Sequence, residues 1–477
     1  MRTFCVQTLG CKVNHYESEQ IASLLRSWGL VQTDAVNAEL RIVNTCSVTT
    51  DAASKSRQSV RRAVRLPVLQ SPSLLEISKP AGQRVLVTGC WATSNPADAA
   101  AIPGVDAVLT HRHDVALRLQ NLLRLWGQDP AAPSENLHPI RRSSEEKVLD
   151  EQPVGTQSLP LLSDRQSAHQ RAFLKIQDGC DAHCTYCIIP TLRPALWSKS
   201  PADVLTEARR MVEAGHVEIV LTGIFLSAYG QPTALRRRQI ESGRRPLANL
   251  IESLCEIPGL LRVRLSSLEP GDLDDDLLSV LRSHHQVVPH FHLPLQSGSD
   301  RILRCMNRQY RRGDYLQMID KVQAAFDRPA ITTDIIAGFP GETEEDFRQT
   351  LDVARHARFI HIHAFPFSAR PGTAAARWKT DFVDSKTAND RIEQLRQLSS
   401  QFSQEFRNAF LGENVHLLVE RDEPVADSVP LRHGRCERYF DIHFSGDTVS
   451  TGDLVTVRID RVTPRRTFGT LMEMVPV

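Results

Sequence analysis

The sequence predicts an α/β protein with an N-terminal open parallel sheet, a central partial (β/α) barrel and a small C-terminal β-barrel. Short apolar runs alternate with helical patterns near the N-terminus, and the same alternation starts again near residue 172. The end of the chain is instead rich in β-branched residues. Because 477 residues are too many for one core, we place domains at residues 1–127, 169–410 and 411–477, with a polar linker at 128–168.

The N-terminal patterns predict strands at residues 3–9, 40–44 and 84–88 and helices at residues 18–28 and 52–64. This order is a βαβ arrangement with a parallel sheet. Residues 66–83, which contain prolines and serines, are predicted to be an inserted loop, and the segment 128–168 has the composition of a linker.

The central domain is predicted to contain strands at residues 172–176, 218–222, 261–265, 290–294, 331–337 and 360–365. Helical patterns such as residues 201–214 separate them, which is typical of a partial or full barrel. A helix at residues 386–410 closes the domain. The tail has strand candidates at residues 415–420, 439–444 and 454–462, as in a small β-barrel.

Charge and composition narrow the class of protein. The net charge of +1 excludes a uniformly basic nucleic-acid coat, so any RNA contact must come from local patches. The N-terminus has no apolar signal region and no run is long enough to span a membrane, so we expect a cytoplasmic protein without membrane contact. In that reducing compartment ten cysteines favour metal ligation or catalysis over disulfides.

Three of these cysteines, Cys180, Cys184 and Cys187, lie in one short loop at Cys-x3-Cys-x2-Cys spacing. A cubane iron-sulfur cluster usually takes four thiolates, whereas this loop supplies three, so one iron can stay open to a small molecule. Zinc is the alternative, although tetrahedral zinc sites usually combine Cys-x2-Cys pairs with a second pair or with histidines. The spacing therefore predicts a catalytic iron-sulfur cluster.

A second set, Cys11, Cys46 and Cys90, shares a different context: each follows the C-terminal end of a predicted parallel strand. Ligands bind at this edge of open α/β sheets. A single cysteine there is more often part of the core, but three equivalent positions favour shared ligation of a second cluster. The other cysteines show no such pattern and are expected in the core or without a role: Cys5, Cys255, Cys305 and Cys436.

Longer motifs are spread over nearly the whole chain. They include Thr-Leu-Gly-Cys-Lys-Val-Asn at residues 8–14, Ser-Ser-Leu-Glu-Pro at 266–270, Pro-Leu-Gln-Ser-Gly-Ser-Asp at 294–300 and Gly-Phe-Pro-Gly-Glu-Thr at 338–343. Tyr186 precedes the last cysteine of the central loop. On these motifs the chain resembles the radical S-adenosylmethionine methylthiotransferases.

The resemblance implies an N-terminal methylthiotransferase domain with an auxiliary cluster on Cys11, Cys46 and Cys90, a radical S-adenosylmethionine barrel, and a C-terminal TRAM domain that binds RNA. Its cofactors would be two [4Fe-4S] clusters and S-adenosylmethionine. Its partners would be tRNA and an unidentified electron donor and sulfur donor, and we expect a monomer.

Within the family, the motif at residues 8–14 followed by Tyr-Glu-Ser at 16–18 is similar to the branch that modifies N6-threonylcarbamoyladenosine beside the tRNA anticodon. The isopentenyladenosine branch usually has Phe and Gln-Met where this chain has Leu9, Lys12 and Val13. A third branch modifies an aspartate of a ribosomal protein. We favour the first branch.

The chain departs from the family pattern after Pro190. The family usually continues through Ala-Arg-Gly and further basic residues, whereas residues 191–198 read Thr-Leu-Arg-Pro-Ala-Leu-Trp-Ser. Only Arg193 and Ser198 are easily matched. The departure concerns local contacts to the substrate and not the binding of the cluster.

Further cofactor contacts are predicted at strand ends, where glycine allows close approach of the backbone and polar side chains can reach a ligand. The candidates for S-adenosylmethionine are Tyr186, Thr222, Gly223, Glu269, Gln296 and Asp334. The alternative is that such polar residues cap strands or satisfy loop amides.

RNA contacts are predicted from charge. Arg57, Arg61 and Arg65 recur at four-residue spacing on one face of a predicted helix, where a solvated face is the alternative. Arg461, Arg465 and Arg466 flank a strand of the tail, with Phe468 or Tyr439 as stacking candidates. A further basic run, which includes residues 236–238, is equally well explained as mobile surface.

A hypothesis of another class remains: a metal-containing RNA-binding protein without catalysis. Metal analysis of anaerobically prepared protein separates the two, because two cubane clusters contain about eight irons and eight sulfides. Zinc in place of the iron and sulfide would contradict the hypothesis that the protein is a radical enzyme.

We predict that Cys187→Ala abolishes formation of 5′-deoxyadenosine and leaves the auxiliary cluster in place, because only the central loop loses a ligand. Chromatography of the reaction products, together with the iron content of the variant, measures both effects. Continued cleavage of S-adenosylmethionine by the variant would refute the ligand assignment.

Overall fold

A computed structural model describes residues 1–67, 83–128, 156–162, 169–235, 245–423, 431–446 and 448–476. The chain forms two compact units. The first comprises Met1–Gln166, Lys175–Asp181 and Cys187–Arg210, and the second comprises Ser167–Leu174, Ala182–Tyr186 and Met211–Val477. Most of the predicted insertion 66–83 and of the predicted linker 128–168 lies outside the described residues.

Up to residue 213 the described elements are β1 Thr3–Thr8, α1 Lys12–Ser27, β2 Val31–Gln32, β3 Leu40–Thr45, α2 Thr50–Arg65, β4 Arg84–Gly89, α3 Cys90–Ser94, α4 Pro96–Ala100, β5 Ala107–Val108, α5 Val115–Leu125, β6 Ala172–Asp178, α6 Ile189–Leu192, β7 Trp197–Ser198 and α7 Pro201–Glu213. Strands β1 to β5 form a parallel sheet in the order β2-β1-β3-β4-β5. The predicted open parallel sheet is confirmed.

Both faces of this sheet are buried, as parallel sheets require. One face packs with apolar residues of α1 and α5, among them Leu25 and Leu119, and the other packs with residues of α2 and α3, among them Val60 and Trp91. The described segment 156–162, predicted as linker, contributes the fully buried Leu159 to the first of these cores.

Helix α1 starts at Lys12, six residues before the predicted start at residue 18. The hydrophobic pattern is weak there because its first turns bury polar side chains, including Asn14 and Glu17. Their hydrogen bonds replace the apolar contacts on which the prediction relied. Asn14 Nδ2, for example, donates to the carbonyl oxygens of Leu9 and Thr45 at 2.9 and 3.1 Å.

Beyond residue 213 the described elements are β8 Glu218–Gly223, α8 Pro246–Cys255, β9 Arg262–Leu265, α9 Asp275–Ser283, β10 His290–His292, α10 Asp300–Cys305, α11 Arg312–Ala325, β11 Ala330–Ala337, α12 Glu344–Ala357, β12 His361–Pro366, α13 Ser385–Asn408, β13 Asn414–Glu423, β14 Leu431–Cys436, β15 Asp441–Ser445, β16 Leu454–Val462 and β17 Thr467–Met474. Strands β8 and β9 pair in parallel, as do β10, β11 and β12. Parallel bridges join β9 to the segment around β10. This alternation confirms the partial barrel.

The last five strands close into a barrel in the order β13-β14-β15-β17-β16. The tail was predicted to have three strands, and the structure adds β14 and β17. The predicted strand at 439–444 begins later, at Asp441. Tyr439 instead adopts a positive φ of 71° in the turn before β15, a left-handed conformation outside the β region. Among the described residues, none of the helices is both long and apolar enough to span a bilayer.

Candidate functional site

The backbone that leads into the central cysteine loop is held closely in the first unit. Gly179 has a φ of 78°, and a Cβ there would lie 2.0 Å from the carbonyl oxygen of Ala195. Gln177 Nε2 donates to the carbonyl oxygens of Asp178 and Gly179 at 2.9 and 2.8 Å. Glycine is therefore required immediately before Cys180, because any side chain would push the loop away from residue 195.

Cys184 belongs to the second unit and lies beside a buried guanidinium. Arg308 Nη1 donates to Cys184 Sγ at 3.2 Å, and Arg308 Nη2 donates to both carboxylate oxygens of Glu269 at 2.6 Å. Burial alone would lower the pKa of Arg308, but Glu269 outweighs it and raises that pKa well above its usual value. A permanently charged guanidinium thus donates directly to the sulfur of Cys184.

The second cysteine set meets at one sheet edge, as predicted. Strands β1, β3 and β4 are parallel neighbours, and Cys11, Cys46 and Cys90 each follow the C-terminal end of one of them. Gly10 makes room for this convergence: a Cβ at Gly10 would lie 2.9 Å from Cys46 Sγ. Cys46 and Cys90 are buried, whereas Cys11 is exposed, so the edge opens to solvent on the side of Cys11.

The buried thiol of Cys90 has a strongly shifted pKa. Burial, opposed by Arg193 and assisted by the neighbouring Cys11 and Cys46, raises the pKa of Cys90 to about 12. Without a metal the buried thiol is therefore neutral at pH 7. Ligation requires the thiolate, so a metal cluster would displace its proton. Three convergent thiols, two of them buried, fit the donor set of an iron-sulfur cluster with one position not supplied by these cysteines.

A buried charge network lies in the same unit as Cys11, Cys46 and Cys90. Arg193 forms a two-pronged pair with Glu17, with Nη1 to Oε1 at 2.6 Å and Nη2 to Oε2 at 2.8 Å. Arg193 Nη1 also donates to both oxygens of Asp178 at 2.8 Å. Lys175 Nζ completes the network at 2.9 Å from Glu17 Oε1 and from Asp178 Oδ2. Two cations and two carboxylates thus balance each other away from water.

The network keeps its charges despite burial. Burial would raise the pKa of Glu17, but Arg193 and Lys175 outweigh it and hold that pKa well below its usual value. His111, whose Nε2 lies 3.8 Å from Glu17 Oε2, behaves differently. Burial and then Arg193 lower the pKa of His111 to about 4, so its ring is neutral at pH 7.

The predicted contacts for S-adenosylmethionine all belong to the second unit, although Asp334 lies within β11 and not at its end as predicted. Thr222 and Gly223 end β8, with Thr222 buried. Gln296 has a φ of 61°, a left-handed conformation that is rare outside glycine and that clusters at functional sites. Asp334 Oδ2 lies 3.3 Å from His292 Nε2. Tyr186 contacts Phe339 edge to face, with ring centroids 6.5 Å apart.

The predicted RNA contacts are accessible. Arg57, Arg61 and Arg65 are exposed on α2, which begins four residues after Cys46. In the barrel, Arg461, Arg465 and Arg466 are exposed. The guanidinium of Arg461 lies 4.0 Å from the ring centroid of Phe468.

Tyr439 does not fit the stacking role. Its ring stacks on His290 with centroids 4.2 Å apart, and the guanidinium of Arg435 lies 4.4 Å from the Tyr439 centroid. The ring is therefore engaged within the second unit. Phe468 is engaged as well, since His443 lies 5.7 Å from it between ring centroids in addition to Arg461.

Sequence reasoning missed several buried polar partners. Glu17 stands in the Tyr-Glu-Ser motif, and Lys175 and Asp178 stand in Lys-Ile-Gln-Asp-Gly-Cys at residues 175–180, a further stretch that resembles the family. These motifs were the available signal, although no role follows from them. No feature of the sequence indicated a role for Arg308. It lies 124 residues from Cys184, so only the fold brings it to the cysteine.

Comparison with known proteins agrees with this geometry. Residues 174–354 match the radical SAM superfamily, and residues 3–110 match the uncharacterized protein family UPF0004. The chain is 35% identical over 462 residues to the threonylcarbamoyladenosine tRNA methylthiotransferase MtaB of Bacillus subtilis, covering 96% of this chain and 94% of that protein. It is also 35% identical over 471 residues to a tRNA-2-methylthio-N(6)-dimethylallyladenosine synthase of Mycobacterium bovis, covering 97% and 86%.

A solved structure shares the fold. The radical S-adenosylmethionine methyltransferase TsrM from Kitasatospora setae, with cobalamin and a [4Fe-4S] cluster bound, aligns with a TM-score of 0.53 at 14% identity, covering 79% of this chain and 77% of that one. The barrel and its cysteine loop thus define a radical S-adenosylmethionine enzyme. With its N-terminal cysteine sheet, the chain belongs to the radical S-adenosylmethionine tRNA methylthiotransferase family. The family implies a [4Fe-4S] cluster and S-adenosylmethionine as cofactors.

We predict that Arg193→Met destabilises the protein by about 3–5 kcal/mol, because it leaves two buried carboxylates with one cation. Guanidinium unfolding measures the change. Arg355→Met is the matched control, since the Arg355–Asp352 pair is exposed and contributes at most about 1 kcal/mol. Adding Glu17→Gln to Arg193→Met should recover part of the loss. Equal midpoints for Arg193→Met and Arg355→Met would contradict the network's role.

Proposed function

We propose that this protein adds a methylthio group to carbon 2 of N6-threonylcarbamoyladenosine next to the anticodon of tRNA. The observation that carries this choice is the motif at residues 8–14, with Leu9, Lys12 and Val13 where the isopentenyladenosine branch usually has Phe and Gln-Met. The similarity to the Bacillus subtilis enzyme over 96% of the chain supports it. Overall identity does not decide between the branches, because it is 35% to both relatives.

The reaction class follows from the target carbon. Carbon 2 of an adenine has no acidic proton and no leaving group, so acid-base chemistry alone does not install sulfur there. S-adenosylmethionine and an iron-sulfur cluster supply, when bound, the one-electron chemistry that removes its hydrogen. The protein must hold these groups, orient the base and keep water away.

In this proposal Cys180, Cys184 and Cys187 hold the cluster that acts with S-adenosylmethionine, and three thiolates leave one iron open. Arg308 donates to Cys184 Sγ and Glu269 holds that guanidinium in place. Glu269 thereby acts on the cysteine through Arg308. This is a more specific role than the direct cofactor contact that the sequence predicts.

Contacts to S-adenosylmethionine itself are proposed for Thr222, Gly223, Gln296 and Tyr186. All four belong to the second unit with Cys184. The glycine at the end of β8 admits a ligand close to the backbone, and the left-handed Gln296 is held by backbone hydrogen bonds to Asp334 and Ile336 at 2.8 and 3.0 Å.

Cys11, Cys46 and Cys90 are proposed to hold a second [4Fe-4S] cluster, which carries the sulfur that is delivered. Two features support this: the three thiols converge at one sheet edge, and that edge belongs to the same compact unit as Cys180 and Cys187. The charge network on Arg193 stabilises this unit without leaving net charge beside the thiols.

Nucleoside mass spectrometry of tRNA tests the proposal. Deleting the gene should remove 2-methylthio-N6-threonylcarbamoyladenosine and increase its unmodified precursor, and complementation with the parent gene should restore it. A gene that encodes Cys187→Ala serves as the control and should not restore it. Loss of the 2-methylthio derivative of isopentenyladenosine instead would place the protein in the isopentenyladenosine branch. Unchanged levels of both modified nucleosides would overturn the proposal that the protein methylthiolates tRNA.

We further expect the exposed arginines of α2 to bind tRNA phosphates. The double variant Arg57→Ala/Arg61→Ala should weaken tRNA binding and reduce the slope of log Kd against log salt by about two, because about one unit of slope is lost per phosphate contact. Fluorescence anisotropy with labelled tRNA measures both quantities.

The matched control is Arg118→Ala/Arg124→Ala, which removes two exposed arginines from α5 in the same unit. It should leave the slope unchanged. The same reduction in both double variants would show that α2 contributes only general charge.

A further inference from the structure

Three histidines and one aspartate lie side by side on the sheet formed by β10, β11 and β12. In the register of these strands His292 is opposite Thr332, Thr332 is opposite His361, and Asp334 is opposite His363. Residues two apart on a strand lie on the same face of the sheet, and so do residues directly opposite each other on neighbouring strands. His292, Thr332, Asp334, His361 and His363 therefore all lie on one face of this sheet.

The ligand atoms of His292, Asp334 and His363 converge. One ligand atom from each lies within 4.8 Å of the others. His292 Nε2 lies 3.3 Å from Asp334 Oδ2. Two ligands bound at the usual zinc distances of about 2.0–2.1 Å in tetrahedral geometry are roughly 3.3 Å apart, so this pair already has the spacing of adjacent zinc ligands.

Hydrogen bonds outside the group orient both imidazoles. His292 Nδ1 is 2.9 Å from Thr332 Oγ1, which directs its Nε2 toward Asp334. His363 Nδ1 is 3.2 Å from His361 Nε2. Ligand histidines in metal sites are held by such outer contacts.

The group is accessible. His363 is exposed, and the side chains of Asp334 and His292 are 32% and 16% exposed. A cation could enter from solvent and keep one coordination position for water or a substrate oxygen, as three-ligand zinc sites do. Imidazole and carboxylate ligands without thiolate suit zinc and similar divalent transition metals, and they do not suit an iron-sulfur cluster.

We propose that His292, Asp334 and His363 bind a divalent transition metal ion, with zinc as the best fit, and that His361 and Thr332 orient the two histidines. This site uses none of the cysteines of the proposed function. It gives Asp334 the role of a metal ligand in place of the direct contact to S-adenosylmethionine that the sequence predicts.

Zinc binding by the full-length, cluster-loaded protein tests the proposal. After anaerobic treatment with a chelator, equilibrium dialysis against zinc should show about one more zinc per chain in the parent than in His292→Gln, Asp334→Asn or His363→Gln. His361→Gln removes only an outer contact and should weaken zinc binding by about 10- to 100-fold. Iron and sulfide contents, measured on the same samples, show that the variants are folded and loaded.

His356→Gln is the matched control, because His356 Nε2 pairs with Asp320 Oδ1 at 2.7 Å on the surface but is not part of the three-residue group. It should bind zinc like the parent. X-ray absorption at the zinc edge should show nitrogen and oxygen ligands only. Equal zinc content in the parent and His363→Gln, or sulfur ligation of the bound zinc, would overturn the site whether or not the tRNA substrate is correct.

Discussion

The buried pairing of Arg193 with Glu17 and Asp178 is the interaction on which the first unit depends. Glu17 comes from α1, Asp178 ends β6, and Arg193 follows α6, so one guanidinium ties three separate segments together. Each of these segments also adjoins a cysteine: Cys11 precedes α1, Cys180 follows β6 and Cys187 precedes α6. Burying four charges costs several kcal/mol per ion, and only mutual pairing offsets it. The network is therefore stable as a whole and fails if one member is removed.

A second buried network repeats this design nearby in the chain. Tyr16 donates to Glu207 Oε1 at 2.6 Å, and Lys199 Nζ contacts both Tyr16 and Glu207. Tyr16 and Glu17 are adjacent on α1, and through Tyr16 this helix makes polar contacts with residues of α7 and of the segment after β7. Such contacts define one arrangement, because hydrogen bonds and ion pairs are directional and apolar packing is not. A family that must hold thiols at fixed positions benefits from that specificity.

In the second unit, too, a pair of buried charges lies beside a cysteine of the central loop, Cys184. Arg308 connects Cys184 to Glu269, and deeper in the unit Glu218 pairs with Arg262 and Arg264. Burial would raise the pKa of Glu218, but these two arginines lower it to about 2. The arginines in turn donate to backbone carbonyls of His416, Cys436 and Glu437 in and beside the terminal barrel. The charged side chains of β9 thus connect the (β/α) barrel to the small C-terminal β-barrel by hydrogen bonds.

The sequence alone determined the parts of this protein that depend on local pattern. Strand periodicity predicts β1, β3 and β4, and their parallel order places Cys11, Cys46 and Cys90 at one edge, because parallel strands end on the same side. The sequence pattern does not predict the start of α1, the strands β14 and β17 or the turn at Tyr439. Tertiary structure determines these features, and it also determines which side chains pair with Arg193, Arg308 and His292. Such pairings join residues far apart in the chain, and burial makes a charge stable only where a partner meets it, which no local pattern encodes.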